Sequence, residues 1–294
     1  MNDMKITAIA PWYGSKRTLA PQIVELIGDH KSYWEPFCGS MAVLFAKPIC
    51  SMETVNDLHG ELINLAKVVQ DVKLGEQLYD KLCRTLCAEQ FFRESKERWI
   101  SGSCADGVLD IDRAYDYFVA SWMGLNGVSG TERCNYQFAV RWVDNGGHGA
   151  ARWRAVVGSM PAWHRRLRRV LIISRDAFEV VDNIADGAEV VIYVDPPYIK
   201  KGSRYIHDFK EADHRRLAQS LARFKKARVI VSYYDHPDLA KLYAGWEKIV
   251  PKKGRQSLRN ATRGPKKKPA ADRVEVLFTN FKPEKKQLII ERFF

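Results

Sequence analysis

The chain has 294 residues, enough for a catalytic domain carrying one smaller insertion. Forty-seven lysines and arginines against thirty-five acids leave a formal net charge of +12, which favours a polyanionic partner, nucleic acid first. No run approaches the ~18 apolar residues of a membrane span, no leader pattern opens the chain, and six cysteines without a CxxC pair among seven scattered histidines give no basis for a metal site; a cytoplasmic protein with reduced thiols, no membrane contact and no obligate protein partner is expected.

In chain order, the first seventy residues alternate between helical and strand patterns, with a helix near 18–27 and strands near 33–35 and 54–56. From 72 to 161 the pattern turns mainly helical, with segments at 74–86 and 113–125 followed by a stretch rich in Gly, Asn and Trp. Strands then return at 170–174, 190–195, 228–233 and 274–281, with helices at 212–225 and near 237–243. Alternation of this kind predicts an α/β fold with a doubly wound, mostly parallel sheet and ligands at the carboxyl ends of its strands. Residues 1–71 and 162–294 then form the catalytic domain, and 72–161 an inserted domain.

The run Val190-Val191-Ile192-Tyr193-Val194 is continuously apolar, as in a strand covered on both faces, and is halted by Asp195-Pro196-Pro197-Tyr198. Proline cannot extend a central strand, so the chain must turn out into a cleft. There Asp195 can accept a hydrogen bond from an amine, the Pro196 carbonyl has no ladder partner, and Tyr198 offers a ring for stacking. Such a site suits a flat base bearing an amino group; a Pro-Pro turn capping a strand is the plain alternative.

Upstream lie Pro11-Trp12-Tyr13-Gly14-Ser15-Lys16, Glu35-Pro36-Phe37-Cys38-Gly39-Ser40 and Val55-Asn56-Asp57, and later Ser174-Arg175-Asp176-Ala177-Phe178. In order and spacing these segments, with the Asp195 motif, resemble the DNA adenine methyltransferases that use S-adenosylmethionine, of the Dam-like class whose target-recognition region is inserted between the cofactor and catalytic halves. The resemblance spans about Trp12 to Phe281. It implies a Rossmann-like methyltransferase domain, a helical DNA-recognition insertion, S-adenosylmethionine without a metal, and double-stranded DNA as partner.

Carried over residue by residue, the resemblance implies that Asp195, Pro196, Pro197 and Tyr198 hold the target adenine, with Asp195 also reaching the cofactor. Trp12 and Tyr13 wall the cofactor site and Lys16 lies near its carboxylate end. Glu35, Phe37 and Gly39 form the cradle where strand meets helix. Gly39 allows close approach to the backbone, but the family's second glycine is Met41 here, a side chain where approach is expected. Asp57 accepts the ribose hydroxyls, although it would also suit a helix cap. Asp176 accepts from the cofactor's adenine amine and Phe178 packs on its purine; a turn acid is the plain reading of Asp176.

For the nucleic acid, Tyr233 and, more weakly, Tyr205 are candidates to enclose a flipped base. Asn126, Arg133 and Asn135 in the insertion suit base edges. Arg165 and Arg166, in a basic stretch from Arg152 to Arg169 with Trp153 and Trp163 interleaved, suit phosphates. Lys266, Lys267 and Lys268 lie in a segment at 252–273 with nine basic residues, one acid and no apolar period, read as a loop on the backbone of the DNA. The expected reaction is methyl transfer to the exocyclic amine of a flipped adenine, at one site or broadly. A catalytically dead nucleic-acid-binding module on this fold and an RNA or cytosine amino-methyltransferase are the rivals. No nuclease motif is visible, which favours a solitary modification enzyme over half of a restriction pair.

Overall fold

The computed structural model describes residues 8–12, 14–102, 108–124, 137–140, 149–199, 209–251, 255–256 and 273–283. Strands β1 (Ser32–Glu35), β2 (Met52–Asn56), β3 (Leu171–Ile173), β4 (Val190–Val194), β5 (Arg228–Tyr234), β6 (Glu247–Ile249), β7 (Arg255–Gln256) and β8 (Arg273–Thr279) make one sheet, ordered β3-β2-β1-β4-β5-β8-β6 with β7 on β8. The five from β3 to β5 are parallel, and β6, β7 and β8 pair antiparallel. This is the doubly wound, mostly parallel sheet expected from the alternating pattern.

The chain winds outward from β1 through β2 to β3, then returns to place β4 on the other side of β1. The two loops leaving β1 and β4 therefore diverge at their carboxyl ends and open a crevice, the switch point where such sheets bind ligands. Both faces are covered, as the apolar run of β4 requires. Val191 and Tyr193 face one hydrophobic cluster and Ile192 and Val194 the other, in the two-residue period of a strand.

The first cluster is large because the helices between β2 and β3 share it. After α1 (Ala20–Ile27) and α2 (Ala42–Ala46) come helices α3 (Gly60–Gln70), α4 (Val72–Cys83), α5 (Glu89–Ser101), α6 (Ile111–Met123), α7 (Gly149–Gly158) and α8 (Met160–Leu167), with α6 between α3 and α5 and α8 packed on α3. Leu78, Leu82, Phe118, Trp153 and Trp163 join Ile23, Tyr33 and Val55 in a single cluster. The described helices between residues 72 and 161 thus pack into the sheet's own cluster, and the Trp122 indole donates to the carbonyl of Ile9, 3.1 Å away, across that shared core. Trp153 and Trp163 are buried in it as well, so they are packing residues and not platforms for nucleic acid.

Polar staples fix α8 to the sheet. Arg166 of α8 is 8% exposed and grips Glu53 of β2 through two nitrogens at 2.5 and 2.8 Å, and it also donates to Leu44 O at 3.1 Å. Lys47 completes the cluster on the same carboxylate. Burial opposes ionisation of Glu53, but Arg166 and Lys47 outweigh it and hold the carboxyl below its ordinary range. Arg166, expected on a phosphate, is instead a structural cation: its charge is consumed inside the protein. Arg165, Arg168 and Arg169 of the same stretch are exposed.

Among the described residues no helix is long and apolar enough to cross a membrane.

Candidate active site

At the switch point lies a cavity of about 290 Å³. Trp12, Lys16, Glu35, Phe37, Gly39, Asp57, Asp176, Phe178 and Asp195 all line it, together with Pro197. Residues separated by up to 185 positions are brought together: Trp12 and Lys16 come from the segment ahead of β1, and each of the others follows, or ends, a strand whose carboxyl end meets the crevice. Tyr13, Asn126, Arg133, Asn135, Tyr205, Lys266, Lys267 and Lys268 lie outside the described residues.

Gly39 has φ of +42°, and a Cβ built there would lie 2.8 Å from the indole nitrogen of Trp12. A side chain would both strain the backbone and push Trp12 out of the cavity wall, so the turn after β1 needs glycine. Two residues on, Met41 also adopts a left-handed backbone, with φ of +58°. The position does ask for glycine's conformation, but the Met41 side chain is fully buried in the sheet-side core and does not line the cavity. The approach to the backbone stays open; the strain of order 1 kcal/mol is offset by burying an apolar side chain.

Asn56 ties the strand ends together. Its amide donates to Pro36 O and Arg175 O, both at 3.0 Å, and its oxygen accepts from Arg175 N at 2.8 Å. Next to it, Asp57 accepts from Gly39 N at 2.8 Å and from His59 N at 2.9 Å. Helix α3 is capped by His59, whose ring accepts from Leu62 N, so Asp57 is not its capping side chain. A carboxylate has about four acceptor sites, and the Asp57 carboxylate lines the cavity beside these two amides.

Asp176 caps helix α9 (Ala177–Asn183), accepting from Phe178 N at 2.8 Å and from Glu179 N at 3.3 Å. The turn-acid reading therefore holds, and the same carboxylate lines the cavity. Phe178 stacks on Phe209 with ring centroids 5.8 Å apart and planes 7° apart, and the Arg216 guanidinium lies 4.1 Å over the Phe178 ring. Phe209 was not legible in the sequence, since a single Phe ahead of helix α10 (Glu211–Ala222) has no motif around it.

Glu35 ends β1, is 2% exposed, and accepts from the Tyr33 hydroxyl at 2.9 Å. Burial pushes its carboxyl up to about 8, with Asp195 adding to the rise and Tyr33 and Lys47 opposing it. The cavity thus holds an acid that is largely neutral until a cation comes to meet it.

Asp195, just past β4, has both oxygens occupied. Ser232 Oγ donates to Oδ1 at 2.8 Å, and the Lys16 ammonium sits 2.7 Å from Oδ2. Lys16 is 4% exposed, donates also to Gly14 O at 2.8 Å, and lies 5.0 Å above the Tyr198 ring. Burial opposes its charge, but Asp195 and Glu275 outweigh that and hold its ammonium above the ordinary lysine value. Lys16 was expected at the carboxylate end of a cofactor; its ammonium is instead spent on the acid of the Asp195 motif. Pro196 and Tyr198 are buried beside the cavity and do not line it.

Strand β5 continues the site by alternation. Ser232 faces Asp195, so Tyr234, two residues on, shares its face and meets the Tyr198 ring edge-on at 4.5 Å. Tyr233 points the other way: it is fully buried in the second cluster and its hydroxyl meets His214 Nδ1 at 2.9 Å. Tyr233, expected against a flipped base, is therefore a core residue, and Tyr234 is the tyrosine on the Asp195 side.

A model of the D12 class N6 adenine-specific DNA methyltransferases matches residues 12–258, well over half of the chain. The chain belongs to this family. Methylation of adenine N6 in DNA is accordingly the activity of this methyltransferase. The Type II methyltransferase M.MjaIII of Methanocaldococcus jannaschii is 28% identical over 277 residues, covering 85% of this chain and 93% of that protein. Among solved structures, the rRNA methyltransferase aviRa from Streptomyces viridochromogenes is similar at a TM-score of 0.35, with 15% identity across 90% of this chain and 83% of that one. A score that low leaves the fold of the methyltransferase to be read from its own strand order.

Proposed function

We propose that this methyltransferase moves a methyl group from S-adenosylmethionine to a flipped adenine in double-stranded DNA, within the cavity at the carboxyl ends of β1, β2, β3 and β4. The observation that carries this reading is that Asp57, Asp176 and Phe178 open on the same cavity as Asp195 and Pro197. One volume joins an acid suited to ribose hydroxyls, an acid and ring suited to a purine, and an acid suited to an amine. The donor set fits the cofactor: Gly39 leaves space beside Trp12, Asp57 brings a carboxylate to the cavity wall, and Glu35 can pair with an amino group.

S-adenosylmethionine, when bound, supplies a methyl on a sulfonium to the incoming nucleophile. The amine of adenine is a weak nucleophile because its lone pair is delocalised into the ring. Asp195 and the Pro196 carbonyl each accept a hydrogen bond from one of its two N–H groups and turn the lone pair outward, in the direction of the cavity. The carboxylate also stabilises the positive charge that grows on nitrogen, and the spare proton leaves through Asp195 or water. Because no covalent enzyme intermediate is needed, orientation supplies much of the rate. Pro197 and Tyr234 bound the space for the base, with the Tyr198 ring behind them.

A base in a duplex cannot reach such a cavity and must be flipped. Residues 72–161 serve as the recognition region, with Asn126, Arg133 and Asn135 on base edges. Arg165, Arg168 and Arg169 and the lysines 266–268 serve on phosphates. Transfer of labelled methyl from S-adenosylmethionine into a random-sequence duplex pool, with every modified base mapped, tests the reading; label on cytosine, or in RNA alone, would overturn it.

A further inference from the structure

Strand β8 reads Arg-Val-Glu-Val-Leu-Phe-Thr, apolar except for Glu275 in its middle and polar residues at its ends. Glu275 is 0% exposed, and it pairs in register with Tyr234 while Leu277 pairs with Ser232. By the two-residue period, Glu275 therefore shares the face of Ser232 and Tyr234, the face that meets Asp195. Its Oε1 accepts from the Tyr198 hydroxyl at 3.2 Å and lies 3.6 Å from the Lys16 ammonium. Its Oε2 is buried with no hydrogen-bond partner among the described residues.

An acid at such a place is a burden to the fold. Burying a carboxylate is unfavourable unless it is paired and hydrogen-bonded, and an apolar side chain of similar volume is often the more stable choice. Here two acids share one lysine, and Lys16 is closer to Asp195, at 2.7 Å, than to Glu275 at 3.6 Å. When an amine comes to Asp195, it competes with Lys16 for the same carboxylate. A lysine displaced from Asp195 with nowhere to go would be a buried unpaired cation. Oε2 of Glu275, with no partner among the described residues, is an acceptor held ready beside the oxygen that Lys16 already faces.

We propose that Glu275 is a positioning residue for methyl transfer, a second seat that draws the Lys16 ammonium off Asp195 and so frees that carboxylate for the target amine. It acts through Lys16, and through the Tyr198 hydroxyl it holds the ring behind the base. The inference rests on the reading of Asp195 as acceptor for the amine.

The test compares turnover of full-length wild type, Glu275→Gln, Lys16→Met and the double variant, using labelled S-adenosylmethionine and duplex DNA. The amide keeps the shape of the side chain and an oxygen for Tyr198 but loses the charge that holds Lys16. Turnover of Glu275→Gln is expected to fall about 10- to 100-fold, with KM for DNA and cofactor affinity within about twofold and the melting temperature not lowered. Glu275→Asp restores part of the loss. In the Lys16→Met background, Glu275→Gln costs nothing further, the signature of two residues acting as one unit. Turnover of Glu275→Gln within twofold of wild type, additive losses in the double variant, or a loss confined to cofactor affinity would each overturn the inference. Should Glu275→Gln fail to fold, Glu275→Met replaces it under the same criteria. Asp195→Ala run alongside separates the two levels: if it keeps turnover, the reading of Asp195 falls and the inference with it, whereas an inactive Asp195→Ala beside a normal Glu275→Gln sinks the inference alone.

Discussion

The Lys16 ammonium lies 2.7 Å from Oδ2 of Asp195, and Ser232 donates to the other oxygen. The acid that heads the proline motif is thus aimed before any base arrives. Its carboxylate is gripped from the N-terminal segment and from β5 at once, which fixes its rotamer at the mouth of the cavity.

Asp195→Ala should therefore abolish methylation, by about a hundredfold or more in turnover, the usual cost of one lost charge-stabilising group. Asp57→Ala should act differently, raising the cofactor dissociation constant by ~1–3 kcal/mol through loss of a charged acceptor. Calorimetry on Asp195→Ala with the cofactor should give nearly normal affinity, because Gly39, Asp57 and Asp176 are untouched. A variant with weak cofactor binding and normal turnover at saturation would reverse the assignment.

Glu35 sets a pH dependence. Its carboxyl is pushed up to about 8 by burial, against an ordinary value near 4.5. In the unfolded chain it ionises near 4.5 and in the fold near 8, so its contribution to stability falls as pH rises between those values, by up to ~1.4 kcal/mol per unit. Glu35→Gln removes that dependence and should melt higher than wild type at about pH 8–9 but not at about pH 4–5. The sign for binding is opposite. If Glu35 pairs with the cationic amino group of the cofactor, binding releases a proton and affinity rises towards about pH 8 by up to roughly tenfold per unit. Calorimetry in two buffers of different ionisation enthalpy detects that proton, and a flat profile in wild type would remove Glu35 from the cofactor site.

The fold was largely legible in the sequence because its signals are local. The run Val190–Val194 is long enough and apolar enough to mark a strand covered on both faces, and two prolines state where it stops. Asp57 and Asp176 were legible for the same reason, as acids at strand ends. Short elements with ordinary composition, such as β6 at Glu247–Ile249 and helix α5, carry no such signal. Side-chain partners depend on distant residues and were hidden. Arg166 looks like its exposed neighbours, and only Glu53, 113 residues away, makes it internal. Glu275 was the more readable miss, since a lone acid within an apolar strand asks for a buried partner.

The two tyrosines of β5 separate packing from chemistry. Tyr233→Phe should leave the methylation rate within about twofold and destabilise the fold by ~0.5–1.5 kcal/mol through the lost bond to His214. Tyr234→Ala should instead lower turnover or raise the KM for DNA while sparing stability, because its ring is half-buried on the Asp195 side against Tyr198. Denaturant melts and steady-state kinetics on both variants decide; a dead but stable Tyr233→Phe would restore that residue to the site.

Gly39→Ala places a Cβ 2.8 Å from the Trp12 indole on a backbone with φ of +42°. Strain of ~1–2 kcal/mol follows from the backbone alone, and Trp12 must move into or away from the cavity. Cofactor affinity should fall at least about tenfold, whereas Met41→Ala, altering a side chain outside the cavity, should cost stability and leave the cofactor affinity of the folded protein unchanged. Titration of both folded variants with S-adenosylhomocysteine checks this, and equal losses would place Met41 against the ligand.

The basic stretch around α8 offers the sharpest contrast between neighbours. Arg166 is buried on Glu53, and its removal leaves a buried carboxylate with Lys47 as its remaining ionic partner. Breaking a buried pair from one side typically costs ~3–5 kcal/mol, so Arg166→Ala should melt far below wild type, and Arg166→Lys should recover only part because a single ammonium cannot reproduce the two-pronged grip on Glu53. Arg165, Arg168 and Arg169 are exposed, and replacing all three by alanine should leave the melting temperature within a few degrees. That triple variant should bind every duplex more weakly and flatten the slope of log affinity against log salt by ~0.9 for each DNA phosphate that the protein no longer neutralises. Its pattern of methylated adenines should stay as in wild type, because groups that touch phosphates carry no sequence information directly. A triple variant with an unchanged salt slope would take α8 off the DNA, and an altered site profile would make these arginines readers of sequence.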